Sequence, residues 1–403
     1  MLNNLKIVEL ATYIAAPAAS ALLGEWGASV IKIEPLSGCP MRQFFANAST
    51  DSFPDNPVFD LDNRGKRSLA LNIAAPEAQE IVHALVREAD VFITNMRPGA
   101  LDKQQLNYRT LQALNPALVY ASLTGFGLTG EEKDKPGFDT VAFWARSGMA
   151  WIMAHKGRAP MRLRTAVGDH VTAMGCAAGI LAALMDAQKT GRGRLVESSL
   201  IRAGMYAVGS DLGVYLRYGR IATSKPREDE RVPIMNFFRS KDEHWFYINA
   251  RPNEGDWPNI VRALGCPELE KDARFATPRQ RREHARLLVE LLDKACARFA
   301  LAELGARLDA ENVIWSQVND FEAIAQDKQA EAAGAFVETP TREGATYRGL
   351  ATPLRFHDPD GRMHNPAPRG AAPALGEHTQ EILSELGWSQ KSIQQAQAQK
   401  IIL

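Results

Sequence analysis

The chain has little of what marks several large protein classes. Its 403 residues include four cysteines, Cys39, Cys176, Cys266 and Cys296, far apart and without a CxxC pair, which excludes a disulfide framework or a zinc ribbon. A reducing cytoplasm is the expected setting. Charge of one sign is missing too: 47 Lys and Arg balance 47 Asp and Glu, so no whole-molecule field attracts nucleic acid or an anionic membrane. The first ten residues lack the basic, apolar and small-residue parts of a secretion signal. The longest apolar run, 174–185, is too short to cross a bilayer. No GxSxG, GxxxxGK[ST] or HExxH string occurs, which removes the common hydrolase, P-loop and zincin readings, and no metal is expected. No repeat of solenoid period is found.

With 45% apolar and 23% charged residues, the chain has the composition of a soluble globular protein, and its length allows two or three domains at about 150 residues each. Short β-branched runs at 6–10, 30–33, 68–72, 91–94, 118–123 and 195–199 alternate with helical patterns at 18–26, 76–88 and 170–189. This rhythm predicts an α/β fold with a doubly wound, mostly parallel sheet. Ligands of such sheets bind beyond the carboxyl ends of the strands, so the loops 11–17, 35–42, 95–99 and 124–137 form the candidate site. The charged segment 223–233 reads as a linker or mobile loop. A hairpin at 236–239 and 245–249, followed by helical patterns at 256–264, 278–299 and 301–308, predicts a smaller α+β domain. The expected organisation is a large domain over 1–222, a small one over 223–330, and a C-terminal segment, 331–403, ending in a helix near 377–386.

Gly125-Phe126-Gly127-Leu128-Thr129-Gly130 matches the GxGxxG string of nicotinamide-dependent oxidoreductases. That string binds a pyrophosphate because a helix begins inside it, whereas here Glu131-Glu132-Lys133-Asp134-Lys135-Pro136-Gly137 follows. A tight strand-to-loop turn is the expected structure. Asp169, just ahead of the 170–189 pattern, has two readings: a helix N-cap, or a carboxylate stabilised at a helix N-terminus and approachable across Gly168, hence a nucleophile. Arg42, Arg97, Lys103 and Lys135 fall on strand-end loops and together suit a phosphate-bearing ligand. Phe44, Phe45, Phe138 and Trp144 are candidates for an apolar pocket.

Taken in order, several segments resemble the class III, or CaiB/BaiF, coenzyme A transferase family. They are Val8-Glu9-Leu10 with Ala16-Pro17, the stretch from Trp26-Gly27-Ala28 to Ile33-Glu34-Pro35, Asn63-Arg64-Gly65-Lys66-Arg67-Ser68, Asn95-Met96-Arg97-Pro98-Gly99, the Gly125 turn, Gly168-Asp169, and Pro373-Ala374-Leu375-Gly376-Glu377-His378-Thr379. The resemblance implies a Rossmann-like large domain completed by the C-terminal segment, an interlocked homodimer, and acyl-CoA and a carboxylic acid as substrates, with no cofactor bound permanently. It makes Asp169 the catalytic aspartate and places coenzyme A near Pro17, Leu71, Asn95, Arg97, Lys103 and Lys135.

Two departures narrow the expectation. Racemases of this superfamily carry a Gly-His-Asp string where this chain has Gly137-Phe138-Asp139, and phenylalanine holds no proton; their later acid is also unmatched in Ala250-Arg251-Pro252-Asn253-Glu254. The glycine-rich loop of oxalate-using members has no counterpart, since 223–233 contains no glycine. Transfer is therefore expected ahead of α-proton exchange, and not with a formyl or oxalyl substrate. The overall pattern, including Glu34-Pro35-Leu36 and Asn236-Phe237-Phe238, resembles members acting on aryl or branched 2-hydroxy acids, and nicotinamide redox chemistry is the alternative from another class.

Overall fold

The computed structural model describes residues 1–44, 56–251 and 255–403. Two compact units account for them: one comprises Met1–Trp151, Met161–Ile221 and Gln329–Leu403, the other Ile152–Pro160 and Ala222–Lys328.

The larger unit is built on six parallel strands, β1 (Lys6–Leu10), β2 (Ser29–Glu34), β3 (Arg67–Ala70), β4 (Val91–Thr94), β5 (Val119–Thr124) and β6 (Leu195–Ser199), in the order β3-β2-β1-β4-β5-β6. Alternate residues feed two cores. Val91 and Ile93 of β4 face one side with Ile7 and Val30, while Phe92 faces the other with Val8 and Ile33. The first core is closed by α1 (Ala15–Glu25) and the second by α3 (Pro76–Glu88); between them in the chain, α2 (Pro57–Asn63) is capped by the Asn56 side chain, which accepts from Phe59 N. Strands β4 and β5 are buried on both faces, which explains why 91–94 and 118–123 read as short apolar runs, whereas β6 is only partly buried. Helix α4 (Pro98–Lys103) follows β4.

Helix α5 (Val167–Thr190) packs its small-residue face, Ala173, Cys176, Ala177 and Ile180, against α1 in the first core. By length and composition it is apolar enough to cross a membrane, a consequence of this alanine-rich packing face. Helices α6 (Leu200–Ala207) and α7 (Gly209–Tyr218) follow β6.

The C-terminal segment returns to protect the edge strand β3. Gly376 N donates to Ser68 Oγ at 2.9 Å, His378 N to Ser68 O at 3.0 Å, and Asn72 N to Ile401 O at 2.8 Å. The Pro373–Thr379 signature thus has a structural use: it seals the sheet.

The smaller unit has a three-stranded antiparallel sheet, Asn236–Arg239, Trp245–Ile248 and Trp315–Gln317, over a core containing Phe238, Phe246, Trp257 and Phe275. The predicted helix over 278–299 is two helices, Pro278–Glu283 and Ala285–Cys296, divided at His284. The segment 223–233 is not a free linker. Arg227 forms a fork with Asp293 at 2.6 and 3.0 Å, and Arg286 one with Asp229 at 2.6 and 2.7 Å.

Candidate active site

The strand order reverses between β1 and β4, and the loops leaving these two strands diverge there to form a crevice. Asn95 ties them together. Its Oδ1 accepts from Thr12 N at 3.0 Å and its Nδ2 donates to Thr12 O at 2.6 Å, so one amide satisfies both backbone groups of Thr12.

A buried charge cluster holds the same β1–α1 turn from below. Glu9 and Lys32 are opposite one another in the β1–β2 register. Glu9 accepts from Lys32 Nζ at 2.6 Å, Lys66 Nζ at 2.7 Å and Ser20 Oγ at 2.5 Å, and the three charged side chains are almost wholly buried. Burial pushes the Glu9 carboxyl up, but Lys32 and Lys66 outweigh it and hold it at about 2. The lysines also donate to the carbonyls of Ala11, at 3.2 Å, and Pro17, at 2.8 Å, which bracket the turn.

The crevice contains a cavity of about 430 Å³. Thr12, Tyr13, Asn95, Arg97, Lys135, Phe138 and Asp169 are on its walls, with Met96, Leu123 and Leu200 adding apolar surface. Three loops and the first turn of α5 therefore converge on one space, although their residues are up to 157 positions apart (169 minus 12).

Asp169 is not the N-cap of α5. Ala166 occupies that position in a left-handed conformation, φ 76°, and Asp169 is the third helical residue, half-buried at the cavity wall. Gly168 does not open an approach for substrate, as its place in the sequence suggests. A Cβ there would lie 2.5 Å from Phe143 Cγ and 2.6 Å from Cδ1, so the glycine lets the helix start settle onto that ring. Phe143 belongs to a π-helical turn, Asp139–Ala145, a form often found at functional sites.

Burial raises the Asp169 carboxyl from its ordinary 3.8 to about 7, with the neighbouring Asp139 carboxylate adding to the rise, His170 opposing it, and Asp62 contributing further upward pressure. His170 Nε2 is 3.1 Å from Asp62 Oδ1. Burial disfavours the imidazolium, but Asp62, Asp169 and Asp139 more than compensate, and the imidazole is raised above its ordinary range. Asp139 is buried; its Oδ1 accepts from Thr140 N at 2.7 Å, and its Oδ2 has no hydrogen-bond partner among the described residues. Sequence reading missed Asp62, Asp139, His170 and Tyr13 as site residues. Asp139 and His170 stand in the strings quoted for their neighbours, but nothing local indicates that three acids and an imidazole share one environment.

The other candidates separate. Asn95, Arg97 and Lys135 line the cavity with Asp169. Lys135 is exposed, pairs with Glu132 at 2.7 Å and lies over the Phe126 ring. Lys103 is exposed at the last position of α4, away from the cavity walls. Pro17 is buried within α1, and Leu71 is fully buried where it bridges Ile402 at the sheet edge.

Arg42, grouped with the phosphate-binding candidates, is instead locked to Glu34 by bonds of 2.8 and 2.6 Å and donates to Pro373 O at 2.9 Å. Trp144 is a core residue whose Nε1 donates to Met161 O at 2.9 Å. Phe44 is exposed and absent from the cavity wall. Phe45, and Pro252, Asn253 and Glu254, lie outside the described residues.

The GxGxxG string forms turns. Gly125 and Gly137 are in backbone contact, a Cβ on the first falling 2.9 Å from the Cα of the second, and Gly127 and Gly130 have φ of 100° and 85°. No helix begins inside the string, so its amides are not organised to receive a pyrophosphate. The close approach serves a different purpose: it brings Phe138 and Asp139 beside the end of β5.

Comparison with known proteins agrees with this geometry. The chain is 32% identical to an (R)-2-hydroxy-4-methylpentanoate CoA-transferase of Clostridioides difficile, over all of this chain and 99% of that one. It is 30% identical to a cinnamoyl-CoA:phenyllactate CoA-transferase of Clostridium sporogenes, over all of this chain and 97% of that one. The crystal structure of a CAIB/BAIF family protein from Brucella suis superposes with a TM-score of 0.83 at 30% identity, covering 96% of this chain and 99% of that one. Residues 2–379 match CoA-transferase family III, the CaiB/BaiF family, and the chain is a CoA-transferase of that family.

Proposed function

We propose that this CoA-transferase moves coenzyme A from an acyl-CoA thioester to an aryl or branched 2-hydroxy acid, with Asp169 as the nucleophile. The observation that carries the reading is one carboxyl, raised to about 7, at the wall of a cavity shared with Asn95, Arg97 and Lys135. The names of the two relatives quoted above support the acceptor class.

A carboxylate suits this reaction because its acyl derivative is an anhydride, which keeps the activation of the thioester; an alcohol would form an ordinary ester and lose it. Asp169 attacks the donor carbonyl, the carbon–sulfur bond breaks, and coenzyme A leaves as thiolate. The thiolate attacks the aspartyl carbonyl of the anhydride, expelling the donor carboxylate and leaving an aspartyl-CoA thioester. The acceptor carboxylate attacks that carbonyl and releases the thiolate again. Attack of the thiolate on the acceptor acyl carbon then gives the new thioester and regenerates Asp169. A carboxylate with a raised pKa is a stronger nucleophile than an ordinary one and is still substantially ionised at neutral pH.

Arg97 and Lys135 supply positive charge for the phosphates of coenzyme A, with Lys103 farther along α4. The Lys135–Glu132 pair is exposed and weak, so exchanging it for a phosphate costs little. Asn95 acts by clamping the loops, and Pro17 and Leu71 by packing behind them. We also propose an interlocked homodimer, supported by the exposed apolar residues Val171, Met174 and Met185 of α5 and Tyr206, Leu216 and Tyr218 of α6 and α7. The buried free thiols are consistent with a reducing, cytoplasmic setting.

The test is a panel of acyl-CoA donors against free acids, read by mass spectrometry. Label from a 2-hydroxy acid appearing as its thioester, and absent with Asp169→Ala, is the expected result. Exchange of the α-proton without any acceptor acid would instead indicate racemase chemistry.

A further inference from the structure

Tyr13 is the residue in the cavity whose conformation packing alone does not explain. Its φ is 62°, in the left-handed region, where an aromatic side chain is an outlier and its backbone is strained. Glycine or asparagine would make the same turn without that strain. The conformation is imposed from both sides. Thr12 is held by both of its backbone groups to Asn95, the carbonyl of Ala11 is held by Lys32, and Ile14, the residue that leads into α1, is buried.

The ring so placed does not enter a core. It meets Phe138 edge to face, with centroids 5.0 Å apart and planes at 79°. Tyr13 is 40% exposed and Phe138 50%, and both line the cavity that holds Asp169. The phenol oxygen has no hydrogen-bond partner among the described residues. Two large half-exposed rings from loops 125 residues apart (138 minus 13), one of them in a strained backbone, are thus held against each other at the wall of the reaction cavity.

We infer that Tyr13 and Phe138 form an aromatic clamp that selects the side chain of the acid bound at Asp169, favouring an aryl group. The T-shaped pair leaves ring surface open to the cavity, and an aryl group can extend the edge-to-face arrangement, with Met96 and Leu123 as apolar backing. A short acid reaches the same nucleophile but leaves the clamp empty. The inference rests on the 2-hydroxy-acid reading given above and adds the residues that set the side-chain preference.

The experiment compares two acceptors with the same reacting end, 3-phenyllactate and glycolate, by kcat/KM for thioester formation in the parent enzyme and in Tyr13→Gly, Tyr13→Phe and Phe138→Ala. The expected result is a fall of about tenfold or more in the phenyllactate-to-glycolate ratio for Tyr13→Gly and Phe138→Ala. Tyr13→Phe, which keeps the ring, should retain the ratio within about threefold. Glycine relieves the left-handed strain, so a cooperative melting transition for Tyr13→Gly at or near the parent temperature shows that the change is not misfolding. Unchanged ratios in the glycine and alanine variants would overturn the clamp, as would equal losses on both acceptors. If the parent enzyme uses neither acid but transfers to others, the 2-hydroxy-acid reading fails, and the clamp is then judged by the same ratio for a phenyl-bearing acid over acetate.

Discussion

Replacing Asp169 by Asn removes the reacting carboxylate and also relieves the burial of its charge, so activity and stability should move in opposite directions. In the folded chain this carboxyl is raised from 3.8 to about 7. The native state therefore binds the proton more tightly than the unfolded state does. Below about pH 4 both states are protonated and the group costs nothing; as pH rises through about 7 the cost of the buried ion is reached in full. At about 1.4 kcal/mol per tenfold change, the span corresponds to about 4 kcal/mol. Water reaching the half-buried side chain reduces this to about 2 kcal/mol. Asp169→Asn should consequently be indistinguishable from the parent in denaturant midpoint near pH 4 and more stable by about 2 kcal/mol near pH 8, while transferring no coenzyme A. Urea titrations at several pH values, followed by fluorescence, measure the difference directly. A stability difference that stays flat from pH 4 to 8 would refute the argument, because it would mean that the Asp169 carboxyl titrates normally.

The other expectations concern the groups around it. Asp139→Asn removes the charge that raises Asp169 after burial, so the acid limb of the kcat/KM profile should move to lower pH, and a limb that stays in place would exclude that coupling. Gly168→Ala introduces a Cβ 2.5 Å from Phe143 Cγ; a loss of about 1–3 kcal/mol in unfolding free energy and a fall in kcat larger than any rise in KM should follow. Lys66→Met leaves Glu9 with one lysine and removes the lysine's bond to the Pro17 carbonyl, and a cost of about 3–5 kcal/mol is expected in urea unfolding. Arg97→Ala should raise KM for the thioester with kcat nearly retained, which initial-rate kinetics will show.

Much of the fold was legible because a buried parallel sheet makes its central strands apolar on both faces, so 91–94 stood out with its observed limits; 195–199, only partly buried, was read from its place after the long helical pattern. The start of α5 was less so. Its cap is Ala166 in a left-handed conformation, which no side chain announces, and Asp169, the best capping residue in the string, lies inside the helix. The break at His284 has no glycine or proline to mark it. Asp169, Asn95, Arg97 and Lys135 share one cavity wall; Arg97 and Lys135 were singled out on strand-end loops, whereas the role of Asp169 and the placing of Asn95 came from the resemblance to the family. Arg42 satisfies the same rule, but Glu34 at the end of β2 claims its guanidinium. The electrostatic setting of Asp169 depends on Asp62 and Asp139, brought in from other elements by α2 and the π-helical turn, and contacts of that range leave no local pattern.

The central claim is that the Asp169 carboxyl becomes acylated during turnover. Incubating the enzyme with an acyl-CoA donor, quenching with hydroxylamine and sequencing the peptides by mass spectrometry tests it most directly. The account predicts a hydroxamate on Asp169, formed only when the thioester is present. An Asp169 peptide that is always unmodified while transfer proceeds, or a hydroxamate on another residue alone, would contradict it.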